Sequence, residues 1–192
     1  MPYKANKWQC FCWRASIVRD ELSVKRAIGV LPQETAVAPN LSVKENLELM
    51  CVIHGFSKEK RQAKIKALAE QFKLHDILSK KAGKLSGGWQ RRVSIAMALI
   101  SEPSILFLDE PTLGLDVIAR SELWEIIFAL KGKVTIILTT HYMEEAEALS
   151  DRIGVMKNGK LLVVGTANEL MKMTATDKFE NAFISIVKGE KI

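Results

Sequence analysis

Asp109 and Glu110 follow four apolar residues, Ile105 to Leu108, in the stretch SILFLDEPTLGLD. A continuous apolar run of this length reads as a buried parallel strand, and open α/β sheets place their ligands outside the C-terminal ends of such strands. Asp109 can there hold a magnesium ion through water, and Glu110 can polarise an attacking water. Standing alone, the two acids are equally a polar strand end. His141 occupies an equivalent place, at the end of a second apolar run, VTIILTT. Gln33 follows a short strand, Ile28 to Leu31, that Pro32 ends. Its side-chain amide can serve as a metal or water ligand.

A different chemistry is written at KLSGGWQRRV, which starts at Lys84. Two adjacent glycines, Gly87 and Gly88, let the backbone approach something closely, and Ser86 stands at a natural N-cap position. A helix start has N–H groups without internal partners and the positive end of the dipole, so an anion such as phosphate is the natural guest. The plain alternative is a cap after a glycine turn.

These residues need elements to hold them. Ser42 and Glu45 form a capping box that opens a helix ending at Gly55. The segment SKEKRQAKIKALAEQFKLHDIL continues as a helix, with Ala63, Ile65, Leu68, Phe72 and Leu74 on its apolar face. A helix after Ser86 carries Val93, Ala96, Met97 and Ile100 on one side, and VIARSELWEIIFALKG is another, closing at Gly132. MEEAEALSD is a short acidic helix, and RIGVMKNGKLLVVG is a hairpin turning at Asn158-Gly159. TANELMKM and KFENAFISIVKG finish as helices. Alternating helices and buried strands mean an α/β fold, with the strand SILFL expected to be covered on both faces.

The 192 residues suit one domain with a sizeable core. The net charge of +6 is scattered along the chain, so nucleic-acid binding gains little support. Cys10 and Cys12 lack a second pair at metal-ligand spacing, which argues against zinc, and the cysteines read as free thiols in a reducing compartment. No apolar run approaches the roughly 20 residues that span a bilayer. The N-terminus has no apolar h-region, so it is not a secretory signal. The expectation is a soluble chain that docks on a membrane protein.

The ordered set of motifs resembles the nucleotide-binding domain of ATP-binding cassette (ABC) transporters. Gln33 in LPQET matches the Q-loop, LSGGWQRRV at residues 85–93 the signature, and ILFLDEPT at 105–112 Walker B. LGLD at 113–116 matches the D-loop, and TTHYMEEAE at 139–147 the switch-histidine region. The likeness begins at about Ala15, leaving residues 1–14 outside it, and runs to the C-terminus. It implies a partial P-loop NTPase (RecA-like) core with a helical signature subdomain at about residues 42–102. Trp89 stands where glutamine is usual, a variant similar to subunits of ABC-2 type exporters of the drug-resistance or nodulation-export kind.

The resemblance further implies ATP and Mg²⁺ as cofactors, with two such domains sandwiching ATP head to tail. Ser86, Gly87 and Gly88 would hold the γ-phosphate of a nucleotide bound mainly to the other subunit. Asp109 would organise magnesium, Glu110 would be the general base, and His141 would stabilise the γ-phosphate and the water. Gln33 would contact magnesium and sense the membrane subunit, and Asp116 would touch the opposite subunit. The implied partners are a second nucleotide-binding subunit and a transmembrane permease, with the chain peripheral on the inner membrane face.

One family part is not found. A phosphate cradle G-x-x-x-x-G-K-[ST] occurs nowhere in the sequence. Gly154 to Lys160 comes nearest in spacing, but Leu161 follows where a hydroxyl is needed, and the segment lies in the hairpin. The strand, loop and helix that carry the cradle are therefore expected to be missing, exposing sheet edges and apolar surface. Tyr3, Trp8 and Trp13 are a weak candidate for stacking a base. The leading expectation is an ATP-hydrolysing exporter subunit that is inactive alone. The alternatives are a non-catalytic partner or gene fragment donating only its signature, and an ABC ATPase of DNA repair, which the compact span from Gln33 to Leu85 opposes.

Overall fold

The computed structural model describes residues 11–12 and 15–189. Tyr3, Trp8, Cys10 and Trp13 lie outside the described residues. The chain divides into two compact units between Ile137 and Leu138.

The first unit begins with a small antiparallel pair, β1 (Phe11–Cys12) and β2 (Ala15–Ser16). Helix α1 (Glu21–Ala27) is capped by the Asp20 carboxylate, which accepts from the Ser23 N–H. It runs directly into β3 (Ile28–Leu31). Helix α2 (Val43–Ile53) opens with the expected capping box between Ser42 and Glu45. Asn46 is fully buried on it and both donates to and accepts from Ala38, fastening the loop before the helix. Helix α3 (Lys58–Gln71) packs on α2 and buries Ile65, Leu68 and Ala69.

Two short 3₁₀ turns, His75–Ile77 and Ala82–Lys84, lead to α4 (Gly87–Ala98). Strand β4 (Ile105–Asp109), helix α5 (Val117–Leu130) and strand β5 (Thr135–Thr139) follow. The sheet order is β3-β4-β5, with β3 and β4 parallel and paired from Ile28↔Ile105 to Leu31↔Leu108.

Among the described residues, one face of this sheet is closed. Leu31, Leu106 and Leu108 are buried, and α4 packs on β3. The approach is close enough that a Cβ on Gly29 would lie 2.6 Å from the Ala98 carbonyl oxygen, so no larger residue fits there. The opposite face leaves Val30 52% and Ile137 44% exposed, with Ile105 and Phe107 half-buried. This corrects the expectation of cover on both faces. An apolar strand sequence reports affinity for a neighbour, not how many neighbours arrive.

The second unit contains α6 (Met143–Leu149), the antiparallel hairpin β6 (Ile153–Lys157) and β7 (Lys160–Gly165), α7 (Ala167–Met173) and α8 (Phe179–Lys188). Asn158 and Gly159 both have positive φ, 51° and 73°, the pair of left-handed residues that a tight hairpin requires. Ala146, Ile153, Val155, Leu170, Phe179 and Ile186 form the core of this unit. No described helix is long and apolar enough to cross a membrane.

Candidate functional site

The register of β3 and β4 assembles the first part of the site. Leu31 pairs with Leu108, so Gln33 and Glu110 each leave the sheet two residues beyond the last pair, at the same strand end. Asp109 and Gln33 are exposed there, and Glu110 is half-buried. Glu110 adopts a left-handed backbone, φ 46°, directly after the strand. Its carbonyl accepts from the Leu113 N–H, closing a turn that carries the chain over Thr112 toward α5. Thr112 is fully buried, and its hydroxyl finds no hydrogen-bond partner among the described residues.

A residue that the sequence did not single out ties this end together. Arg91, on α4 and 5% exposed, donates from Nη1 to the Pro32 carbonyl at 2.8 Å and from Nη2 to the Gln33 carbonyl. Burial pushes its guanidinium below the ordinary arginine value, opposed by the charge of Asp109. The helix after the glycine turn therefore grips the backbone of the Gln33 loop. No local pattern announces this contact, because its partners are 58 and 59 positions away.

The glycine turn forms the second part. Ser86 precedes α4 with extended backbone, φ −62° and ψ 159°, but its hydroxyl makes no capping bond to the helix amides. The expected N-cap position is confirmed, and the expected cap is not made. Instead Gln90 closes the turn, its N–H donating to the Ser86 carbonyl and its side chain to the Leu85 carbonyl. A Cβ on Gly87 would meet Leu115, and one on Gly88 would lie 2.9 Å from the Ala119 Cβ. The starts of α4 and α5 are thus in contact. Asp116 caps α5, accepting from the Ala119 N–H at 2.9 Å.

His141 belongs to the second unit, two residues after β5, and is exposed. Its ring centroid is 4.2 Å from that of Tyr142, with the planes tilted by 38°.

The donor set at the strand end suits magnesium. Asp109 offers an exposed carboxylate and Gln33 an exposed amide oxygen on the neighbouring strand end, both hard oxygen donors. Magnesium keeps several waters and takes one or two protein oxygens beside substrate phosphates, so this sparse set fits. Among the described residues no group of three or more His, Cys, Asp and Glu side chains forms a dedicated metal cage.

The chain is 41% identical over 165 residues to the daunorubicin resistance ATP-binding protein DrrA3 of Streptomyces coeruleorubidus, covering 85% of this chain and 52% of that protein. It is 41% identical over 150 residues to the Nod factor export ATP-binding protein I of Burkholderia lata, covering 77% of this chain and 49% of that protein. It therefore spans about half the length of these relatives. A solved ATP-binding subunit of an ABC transporter superposes with a TM-score of 0.76 at 24% identity, covering 90% of this chain and 73% of that one, and so shows the same fold. The family model described as ABC transporter matches residues 11–113, and with the strand-end acids, the Gln33 loop and the glycine turn in the positions described, the chain belongs to the ABC transporter family.

Proposed function

We propose that this chain is the ATP-binding subunit, or a part of it, of an ABC exporter. The two named relatives are described as a daunorubicin resistance ATP-binding protein and a Nod factor export ATP-binding protein, each 41% identical to this chain over the matched span. The observation that carries the reading is the meeting of Gln33, Asp109 and Glu110 at one strand end, with α4 gripping the Gln33 loop through Arg91.

In this reading Asp109 and Gln33 hold magnesium, which neutralises phosphate charge when bound. Glu110 accepts a proton from the attacking water. Ser86, Gly87 and Gly88 present the α4 start to a nucleotide held mainly by a second subunit, and Asp116 meets that subunit. The exposed Ser86 hydroxyl, not spent on capping, supports this use. A permease subunit positions the pair at the inner membrane face.

The sequence holds no phosphate cradle, so the ring of backbone amides and the lysine must come from another segment or subunit. Removing one oriented donor at such a site costs roughly 10²–10³ in rate, so the chain alone should not turn over ATP. The deciding experiment compares phosphate release by the chain alone, by an intact family subunit alone, and by their mixture. Turnover that rises on mixing, and falls with Ser86→Ala in this chain, supports the reading. If Glu110→Gln in this chain leaves the mixture unaffected, the chain is a non-catalytic partner. Turnover by the chain alone refutes the reading. Intact mass of the native protein then shows whether a cradle lies in the same polypeptide.

A further inference from the structure

Trp89, where glutamine is usual, has no role in the reading above. Its ring centroid lies 4.3 Å from the guanidinium carbon of Arg92. Arg92 is 7% exposed and donates from Nη2 to Glu122 Oε2 at 2.7 Å, joining α4 to α5. One turn nearer the helix starts, Gly88 lies against Ala119. Gly88 and Arg92 are four apart on α4, and Ala119 and Glu122 are three apart on α5. Both contacts therefore fall on one pair of facing helix rows. Beside them lies a small cavity of about 260 Å³, whose lining includes Ser86, Gly88, Trp89, Asp116 and Ala119.

The ion pair alone would be a weak tie. Glu122 is about half exposed, and water competes for such a pair. An indole face over the guanidinium excludes water from one side and adds its own attraction for the cation. A glutamine has no such face.

We propose that Trp89 is a positioning residue. By covering Arg92 it stiffens the Arg92–Glu122 bridge, and the bridge holds the Ser86–Gly88 turn against the Asp116 end of α5. The functional consequence rests on the reading that this turn meets a nucleotide phosphate, whereas the mechanical part stands without it.

The test uses Trp89→Ala, Trp89→Phe, Glu122→Gln and the double variant Trp89→Ala/Glu122→Gln in the full chain. Urea unfolding of the chain alone reads the coupling. The double variant should lose clearly less than the sum of the single losses, and additive losses overturn the proposal. Hydrogen exchange at the Gln90 amide, which closes the first turn on Ser86, should quicken about tenfold in Trp89→Ala and return in Trp89→Phe. Unchanged exchange also overturns it. In the mixture with an intact subunit, Trp89→Ala should raise KM for ATP about five- to tenfold with kcat little changed, and Trp89→Phe should restore it. A fall in kcat at constant KM means a smaller folded fraction and rejects positioning. If the wild-type mixture shows no turnover, the nucleotide reading fails, while unfolding and exchange still decide the bridge.

Discussion

Replacing Arg91 by methionine separates two effects of a buried cation. The side chain gives up two hydrogen bonds from a charged donor, to the Pro32 and Gln33 carbonyls. Such bonds contribute about 1.5–3 kcal/mol each, and because Pro32 and Gln33 are exposed, water can take over the carbonyls, which favours the lower figure, about 3 kcal/mol for both. Against this, methionine fills much of the same volume and removes a charge whose burial is already unfavourable, as the lowered pKa of Arg91 shows. Well-packed apolar replacements of buried charges can return about 1 kcal/mol or more. The expected net loss is about 2 kcal/mol, a fall of about 4–8 °C in Tm for a chain of this size. Arg91→Lys, a point charge that serves one carbonyl well, should lose about half as much. Urea and thermal unfolding measure the loss, and hydrogen exchange at Glu34 and Thr35 locates it. If Arg91→Met unfolds within about 0.5 kcal/mol of wild type and exchange at 34–35 is unchanged, Arg91 does not hold the Gln33 loop.

Gly29→Ala should destabilise the chain by about 1–3 kcal/mol, since its Cβ would press on the Ala98 backbone carbonyl; differential scanning calorimetry checks this. Glu45 and Glu169 are held below the usual carboxylate value of 4.5, chiefly by hydrogen bonds with Ser42 and Thr166. Their folded pKa is depressed, so the stability they add is present above about pH 4.5 and is lost as pH falls through the lowered values. Glu45→Gln/Glu169→Gln should therefore flatten the acid limb of stability against pH, and a parallel limb in the double variant would count against the capping boxes. Val30→Lys, on the open sheet face, should reduce self-association measured by light scattering without lowering Tm by more than a few degrees.

The parts of the site that the sequence disclosed are those set by neighbours along the chain. Ile105 to Leu108 leading into Asp109 announced a strand and its chemically useful end. Ser42 with Glu45 announced a helix start, and Asn158-Gly159 a turn. The contacts that join these parts were not legible. Arg91 and Arg92 follow a glycine turn as adjacent basic residues, and a periodic reading makes such a pair a wet face of the helix. In the fold both are buried, because Arg91 reaches two carbonyls some sixty positions back and Arg92 reaches Glu122 thirty positions on. The same limit explains Ser86. Its type and place suit a cap, but Gln90 closes the turn. It also explains the half-bare sheet, since Val30 and Leu31 are alike in composition and differ only in what packs on them.

Glu110 sits in a conformation that side-chain-bearing residues avoid, with φ at 46°. A left-handed backbone costs a residue other than glycine about 1–2 kcal/mol, and asparagine bears it more easily than glutamate. Glu110→Asn should therefore ease the backbone at the very position where the proposed function puts the proton acceptor. A survey of substitutions scored only by folding would rank this glutamate as a residue worth replacing. One scored by turnover in the mixture would rank it as irreplaceable. The disagreement between the two rankings, read at this one position, would show that use and not stability keeps a glutamate there.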